Sequence, residues 1–171
     1  SLMSLRKSNP DLRAQLITNQ LGFVNASIES IVTPFDEVTF VDKPDKDNRL
    51  VKISVYKYSI FQSTLYLDCD TEVLNSINSG FNLLNDYDFL IRPNPTPCGY
   101  SYKFKLPVDQ NDCTLFNGGV WFFSKKENVR YLFGTWKDLF VELGNSADQP
   151  SLASTIHKMR NKIKIYPLSM I

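Results

Sequence analysis

The chain has little of what disulfide-bonded, zinc-binding and membrane proteins depend on. Its 171 residues include three cysteines and one histidine. Cys69, Cys98 and Cys113 form no Cys-x-x-Cys pair, so neither a disulfide framework nor a zinc site is indicated. The lone His157 excludes schemes that combine a histidine base with a histidine ligand. No run of about 18 apolar residues is present, so we expect no membrane-spanning helix.

An excess of charge of one sign is also missing. Nineteen Lys and Arg against 18 Asp and Glu leave a formal net charge of +1. This balance gives no reason to expect a nucleic acid or an anionic membrane, and we predict that the chain binds no nucleic acid. The sequence opens with no signal peptide, so we expect a cytoplasmic protein, unless an anchor precedes these residues.

What is present is an alternation of short apolar runs with helical periodicities. Hydrophobic residues make up 43% of the chain and charged residues 22%, which is ordinary for a soluble domain. This order predicts an α/β layer architecture. The predicted elements are a helix ending near residue 9, strands over 13–18 and 38–41, a helix over 49–61 and a strand over 64–67. They continue with a helix within 72–84 that is interrupted near Gly80, strands over 88–91 and 115–124, helices over 127–143 and 149–159, and a strand over 162–166. A proline-rich loop over 92–112 is long enough to be functional.

The most informative stretch is the strand 64–67 with the carboxylates that follow it, Asp68 and Asp70. Ligands of open α/β sheets bind at the carboxyl ends of strands, and residues i and i+2 of an extended chain point to the same side. Two convergent carboxylates suit Mg²⁺ or Mn²⁺ bound to a diphosphate. The simpler alternative is two solvated aspartates at the end of a strand. A haloacid-dehalogenase-type phosphatase would need Thr or Val where Glu72 stands, so that motif fails.

A second group is Asn117-Gly118-Gly119 inside an apolar run. Glycines weaken a strand, so they indicate either close approach of a ligand to the backbone or a bulge. Asn-Gly is equally typical of a hairpin turn, and that alternative stays open.

Two further pairs are candidates for binding. Asp148 and Gln149 open a predicted helix, where Asp148 either caps the helix or faces sugar hydroxyls. Arg49 and Lys52 lie one helical turn apart, as a solvated basic face or as partners of a diphosphate.

In this order, Arg49 and Lys52, LYLDCDTEV, FNGGVWFF and ADQPSLA resemble the nucleotide-diphospho-sugar transferases of the GT-A fold, the broad glycogenin-like and galactosyltransferase-like group. The resemblance covers residues 13–166. It implies a three-layer α/β/α fold with a mixed, mostly parallel sheet. It also implies metal-dependent transfer of a hexose from a nucleotide-sugar donor, a UDP- or GDP-sugar, to a glycan, lipid or protein acceptor.

The resemblance also implies roles for individual residues. They are Asp68 and Asp70 as ligands of Mn²⁺ or Mg²⁺; Asn117, Gly118 and Gly119 in the donor-sugar and acceptor pocket; Asp148 and Gln149 next to the reacting centre; Arg49 and Lys52 near the donor; and Thr18 and Asn19 near the nucleotide. Members usually carry a further metal ligand, often a histidine, but His157 lies within a predicted helix and does not match it.

The resemblance has one departure, because such domains open with a strand and helix that precede the strand seen here at Arg13. We therefore expect residues 1–171 to be one incomplete domain. A non-catalytic module that binds sugar nucleotides is the alternative function. A nucleotidyltransferase is disfavoured, since no Gly-rich loop lies near the start. An exposed sheet edge would favour a dimer or a swapped element.

Overall fold

The structure is a computed structural model that describes residues 2–19, 35–41, 48–94, 114–144 and 148–169. The chain alternates helices and strands, as expected. In order they are α1 (Leu2–Ser8), β1 (Gln15–Thr18), β2 (Glu37–Phe40), α2 (Asn48–Ile53), α3 (Val55–Tyr58), β3 (Ser63–Leu67), α4 (Asn78–Leu83), β4 (Phe89–Pro93), β5 (Phe116–Ser124), α5 (Glu127–Leu143), α6 (Asp148–Met159) and β6 (Ile165–Pro167). Within these ranges, no helix is long and apolar enough to cross a membrane.

The main sheet has four strands in the order β3-β5-β4-β6. The long strand β5 runs antiparallel to both β3 and β4, whereas β6 is parallel to β4. The strands β1 and β2 form a separate parallel pair. These directions bring the carboxyl ends of β3, β4 and β6 to the edge where β5 begins. The predicted α/β class with a mixed sheet is confirmed.

Side chains of the main sheet alternate between two apolar layers, as strand geometry requires. One face carries the larger core, packed against α5 and α6, and its fully buried sheet residues are Phe89, Ile91, Trp121 and Phe123. The opposite face carries a smaller cluster in which Leu90 and Phe122 meet residues of α4 and the turn after it. The sheet therefore lies between two helical layers, which is the three-layer arrangement expected.

The helix α5 matches its predicted bounds because both of its ends have a physical cause. It follows Lys126, whose backbone is extended, and ends at Gly144, whose φ of 57° is in the left-handed region that favours glycine. Its buried side chains recur at helical spacing and face the sheet. They are Val129, Leu132, Phe133, Trp136, Leu139 and Phe140.

Two predicted helices differ from those observed. The helix expected over 49–61 is interrupted at Ser54 and gives the two short helices α2 and α3. The helix expected within 72–84 covers only 78–83, and the break expected near Gly80 is absent, since Gly80 lies inside it. It begins late because side chains of α1 and of the residue after it bind the preceding backbone. The Val73 amide donates to Ser4 Oγ (2.9 Å) and the Ile77 amide donates to Asn9 Oδ1 (3.0 Å). Most of the predicted loop over 92–112 lies outside the described residues, and its first two residues belong to β4.

Candidate functional site

Three elements converge on the side chain of Lys52 at the carboxyl edge of β3. The Lys52 ammonium lies 3.3 Å from Asp68 Oδ2, just after β3, and 3.0 Å from Asp148 Oδ2, at the start of α6. The side chains of Lys52 and Asp148 are 15% and 13% exposed, whereas that of Asp68 is 34% exposed. We call these three residues the Lys52 cluster. It holds two carboxylates on one cation, so it carries a net negative charge.

Within this cluster, Asp148 Oδ2 is almost fully shielded from solvent. It has no hydrogen bond of good geometry among the described residues. Its negative charge is instead balanced by the Lys52 ammonium 3.0 Å away. A buried carboxylate is costly unless it is paired, so removing Lys52 would leave an uncompensated charge.

Tyr66 completes the shell around Asp68, and the sequence analysis did not identify it. Its hydroxyl donates a hydrogen bond to Asp68 Oδ1 (2.7 Å), while its ring lies 5.4 Å from the Lys52 ammonium and stacks on Trp121. Burial, and then the hydrogen bond and negative charge of Asp68, raise the pKa of Tyr66. The hydroxyl therefore stays protonated and remains a donor to the carboxylate. The sequence could have indicated Tyr66, because residues two apart on a strand point to the same side and Tyr66 lies two residues before Asp68.

The glycines of Asn117-Gly118-Gly119 leave room for the Lys52 cluster. A Cβ atom on Gly118 would lie 3.0 Å from Asp148 Oδ2 and 3.2 Å from the Lys52 ammonium. A Cβ atom on Gly119 would lie 3.0 Å from Asp68 Oδ2. All three distances are shorter than ordinary contacts, so side chains at these positions would push the charged groups apart.

The same stretch is a bulge and not a hairpin turn. The strand β5 is continuous, but its pairing with β4 shifts between Ile91 and Pro93, which face Trp121 and Phe116. On its other side β5 pairs with β3 as far as Leu67 and Val120, and just beyond this pair the Asp68 amide donates to the Gly119 carbonyl (2.9 Å). Bulges are common next to binding sites, because they redirect side chains.

Asn117 and Gln149 flank the Lys52 cluster with amide groups. Asn117 is exposed, and its Oδ1 accepts a hydrogen bond from the Gly119 amide (2.7 Å). Gln149 Oε1 accepts a hydrogen bond from the Asn94 side-chain amide (3.3 Å). Asn94 directly follows β4, as Asp68 follows β3. It was not predicted from the sequence, although a polar residue at the carboxyl end of a strand could have indicated it.

Asp148 opens α6 as its first residue and does not precede it as a cap. The Trp136 indole donates to the Asp148 carbonyl (3.1 Å) and to Ser151 Oγ (3.2 Å). Ser151 Oγ in turn donates to the Asp148 carbonyl (2.9 Å). The buried face of α5 thus anchors the start of α6 and holds Asp148 toward Lys52.

The other predicted site residues lie around this centre. Asp70 is exposed in the turn after β3, which the Thr71 amide closes by donating to the Asp68 carbonyl (3.1 Å). Because the strand ends at Leu67, the extended geometry expected to align Asp68 with Asp70 is not present. Arg49 is exposed on α2. Thr18 ends β1 and Asn19 follows it, both half-buried.

Asp68 and Asp70 are the ligands that the resemblance implies for a divalent cation. No group of three or more His, Cys, Asp or Glu side chains among the described residues could enclose a metal ion. Mg²⁺, however, is commonly bound by one or two carboxylates together with phosphates and water. Asp68 is partly exposed and Asp70 is exposed, and with Asp148 they outnumber the single ammonium of Lys52. The donor set fits a cation that takes its remaining ligands from a diphosphate and water.

Comparisons with known proteins give the fold and no family assignment. No family model and no curated protein matches the chain. The crystal structure of the glycosyltransferase GlyE from Streptococcus pneumoniae TIGR4 is similar, with a TM-score of 0.62 and 17% identity over 97% of this chain. Its apo form gives a TM-score of 0.60 and 16% identity over 95% of this chain. The chain spans 40% and 39% of those chains, respectively. The chain therefore shares its α/β fold with part of GlyE.

Proposed function

We propose that this chain is a glycosyltransferase domain that moves a sugar from a UDP- or GDP-sugar to a glycan, lipid or protein acceptor. The observation that supports this most is the convergence of Lys52, Asp68 and Asp148 beside a glycine-rich bulge at the carboxyl edge of the sheet. Ligands of α/β sheets bind at this edge. The likeness in fold to GlyE, itself a glycosyltransferase, points the same way.

The net negative charge of the Lys52 cluster suits a donor diphosphate when a divalent cation binds together with it. In this proposal Lys52 and Arg49 contact the phosphates, and Asp68 and Asp70 hold Mn²⁺ or Mg²⁺. When bound, the metal supplies positive charge that stabilises the departing nucleoside diphosphate. Lys52 contributes to the same stabilisation through its ammonium group, which already lies among carboxylates at this edge.

The polar groups beside the Lys52 cluster would position the two sugars. Asn117 is exposed on the bulge, so its amide can reach a hydroxyl group. Asp148 and Gln149 begin α6, where Asn94 holds the Gln149 side chain by a hydrogen bond. Holding both reactants in one geometry lowers the entropic cost of their reaction. Gly118 and Gly119 leave the space that the charged groups of the Lys52 cluster occupy, so that these groups can lie next to the donor.

Turnover of a panel of UDP- and GDP-sugars with Mn²⁺ tests this function. We expect release of the nucleoside diphosphate by the wild type and its loss in Asp70→Ala. Asp86→Ala is the matched control, since Asp86 is also an exposed aspartate but lies before β4, away from the proposed site. No turnover, together with no calorimetric binding of UDP or GDP in Mn²⁺, would refute the proposal.

The second candidate is a non-catalytic module that binds sugar nucleotides. It is favoured by the observation that both oxygens of Asp68 already have protein partners, Tyr66 and Lys52. Binding of UDP or GDP without turnover of any sugar nucleotide would support this module over the enzyme.

A further inference from the structure

The Lys52 ammonium lies where a cation shared by two carboxylates would lie. It is 3.3 Å from Asp68 Oδ2 and 3.0 Å from Asp148 Oδ2. A divalent cation that binds Asp68 would come within a few ångströms of this ammonium, and two positive charges at that distance repel each other. The Lys52 ammonium and the metal ion therefore compete for the Asp68 carboxylate.

The surroundings hold Asp68 in place independently of Lys52. Tyr66 donates to the other oxygen of Asp68 (2.7 Å), and the Asp68 amide is bonded to the Gly119 carbonyl (2.9 Å). Lys52, by contrast, is a single charge at the end of a flexible stem with three rotatable donors. The ammonium can thus leave Asp68 while the carboxylate keeps its position.

We propose that Lys52 is a resident counter-cation that occupies the Asp68 carboxylate until a diphosphate draws the ammonium away. Lys52 in this role is a positioning residue, and the inference rests on the metal-assisted donor site proposed above. Without nucleotide, Lys52 weakens the binding of a divalent cation to Asp68. With nucleotide, the phosphates accept the ammonium, so metal and diphosphate bind with positive coupling.

The test measures Mn²⁺ affinity from the electron paramagnetic resonance signal of free Mn²⁺, with and without UDP. Lys52→Gln removes the charge but retains a donor toward the carboxylates, and Lys52→Met removes both. Without UDP, we expect either variant to bind Mn²⁺ on the order of tenfold more tightly, because solvent screens part of the repulsion at Asp68, whose side chain is 34% exposed. We also expect UDP to increase Mn²⁺ affinity more in the wild type than in the variants.

The direction of this change separates the proposal from a merely structural role. Damage to the fold would weaken Mn²⁺ binding, whereas loss of a competing charge strengthens it. Circular dichroism shows which of the two Lys52 variants is folded, and the affinity of that variant is compared. Lys57→Gln is the control, since Lys57 is an exposed lysine on the adjacent helix α3 and should leave affinity unchanged. In an Asp68→Asn background, the gain from Lys52→Gln should vanish.

The outcomes also separate this proposal from the proposed function. Equal or weaker Mn²⁺ binding by the Lys52 variants overturns the role of Lys52 and leaves the donor site standing. A gain that persists in Asp68→Asn overturns it as well, because the metal would then bind elsewhere. No Mn²⁺ binding by any of these proteins, even with UDP, overturns the metal-assisted donor site itself and this inference with it.

Discussion

Replacing Gly80 with alanine should destabilise the protein, although alanine is normally the better residue in a helix. Gly80 lies inside α4, and a Cβ atom built on it falls within 3.0 Å of three ring carbons of Phe122. Phe122 is 5% exposed and belongs to the smaller apolar cluster of the sheet. The added methyl group must therefore displace a packed ring, or the whole helix must move away from the sheet.

The magnitude follows from two opposing effects. Gly to Ala in a helix usually gains about 0.5–1 kcal/mol, mainly from the entropy of the unfolded chain. Inserting a methyl group into a packed core typically costs about 1–3 kcal/mol. We expect the cost to dominate at Gly80, with a net loss of about 1–2 kcal/mol. Gly134, in α5, is the matched control: a Cβ atom there meets nothing within 4 Å, so Gly134→Ala should gain about 0.5–1 kcal/mol.

Urea unfolding followed by tryptophan fluorescence measures both changes, since Trp121 and Trp136 are fully buried in the core. The two variants should shift the midpoint in opposite directions, with Gly80→Ala lowering it. An equal gain in stability for Gly80→Ala and Gly134→Ala would refute the packing of α4 described here.

Three further predictions concern the site, the pH dependence and the assembly. Gly118→Ala should weaken binding of UDP with Mn²⁺ on the order of tenfold by calorimetry, because its Cβ atom would crowd Asp148 Oδ2; unchanged affinity would contradict this. The Ala14 amide and then the Arg6 guanidinium lower the pKa of Asp36 from 3.8, so the charged form adds stability above about pH 4 that is lost as the pH falls through the lowered pKa. Thermal unfolding should therefore show the wild type losing its advantage over Asp36→Asn below about pH 4, and an advantage that does not change with pH would contradict it. Light scattering should give a dimer if the outer edge of β3, which pairs with no second strand among the described residues, pairs with another copy of the chain, and a monomer would remove that proposal.

Local sequence patterns correctly predicted the helices and strands whose ends are determined by neighbouring residues. The helix α5 could be placed from the spacing of its apolar residues and from Gly144, which needs a left-handed conformation. The helix expected within 72–84 was wrong in its extent because the backbone amides of Val73 and Ile77 donate hydrogen bonds to Ser4 and Asn9, more than 60 residues away. Such long-range competition for backbone groups leaves no trace in a local pattern.

The sequence predicted most of the residues of the candidate site, but not which of them contact each other. Asp68 could be found because it follows an apolar strand, and Asp148 because it begins a helix. That Lys52 bridges the two depends on the strand order of the sheet, which places β5 and its glycines between distant segments. Asn94 was missed because it precedes a proline-rich segment and looks like part of a loop.

The central claim is that the Lys52 cluster binds the diphosphate of a sugar nucleotide together with a divalent metal. Calorimetric titration of UDP and GDP in Mn²⁺ against the wild type, Asp68→Asn and Asp138→Asn tests it most directly. Asp138 is an exposed aspartate on α5 and serves as the control. We expect binding by the wild type and by Asp138→Asn, with affinity reduced at least on the order of tenfold in Asp68→Asn. Equal binding by Asp68→Asn, or no binding by the wild type, would contradict it.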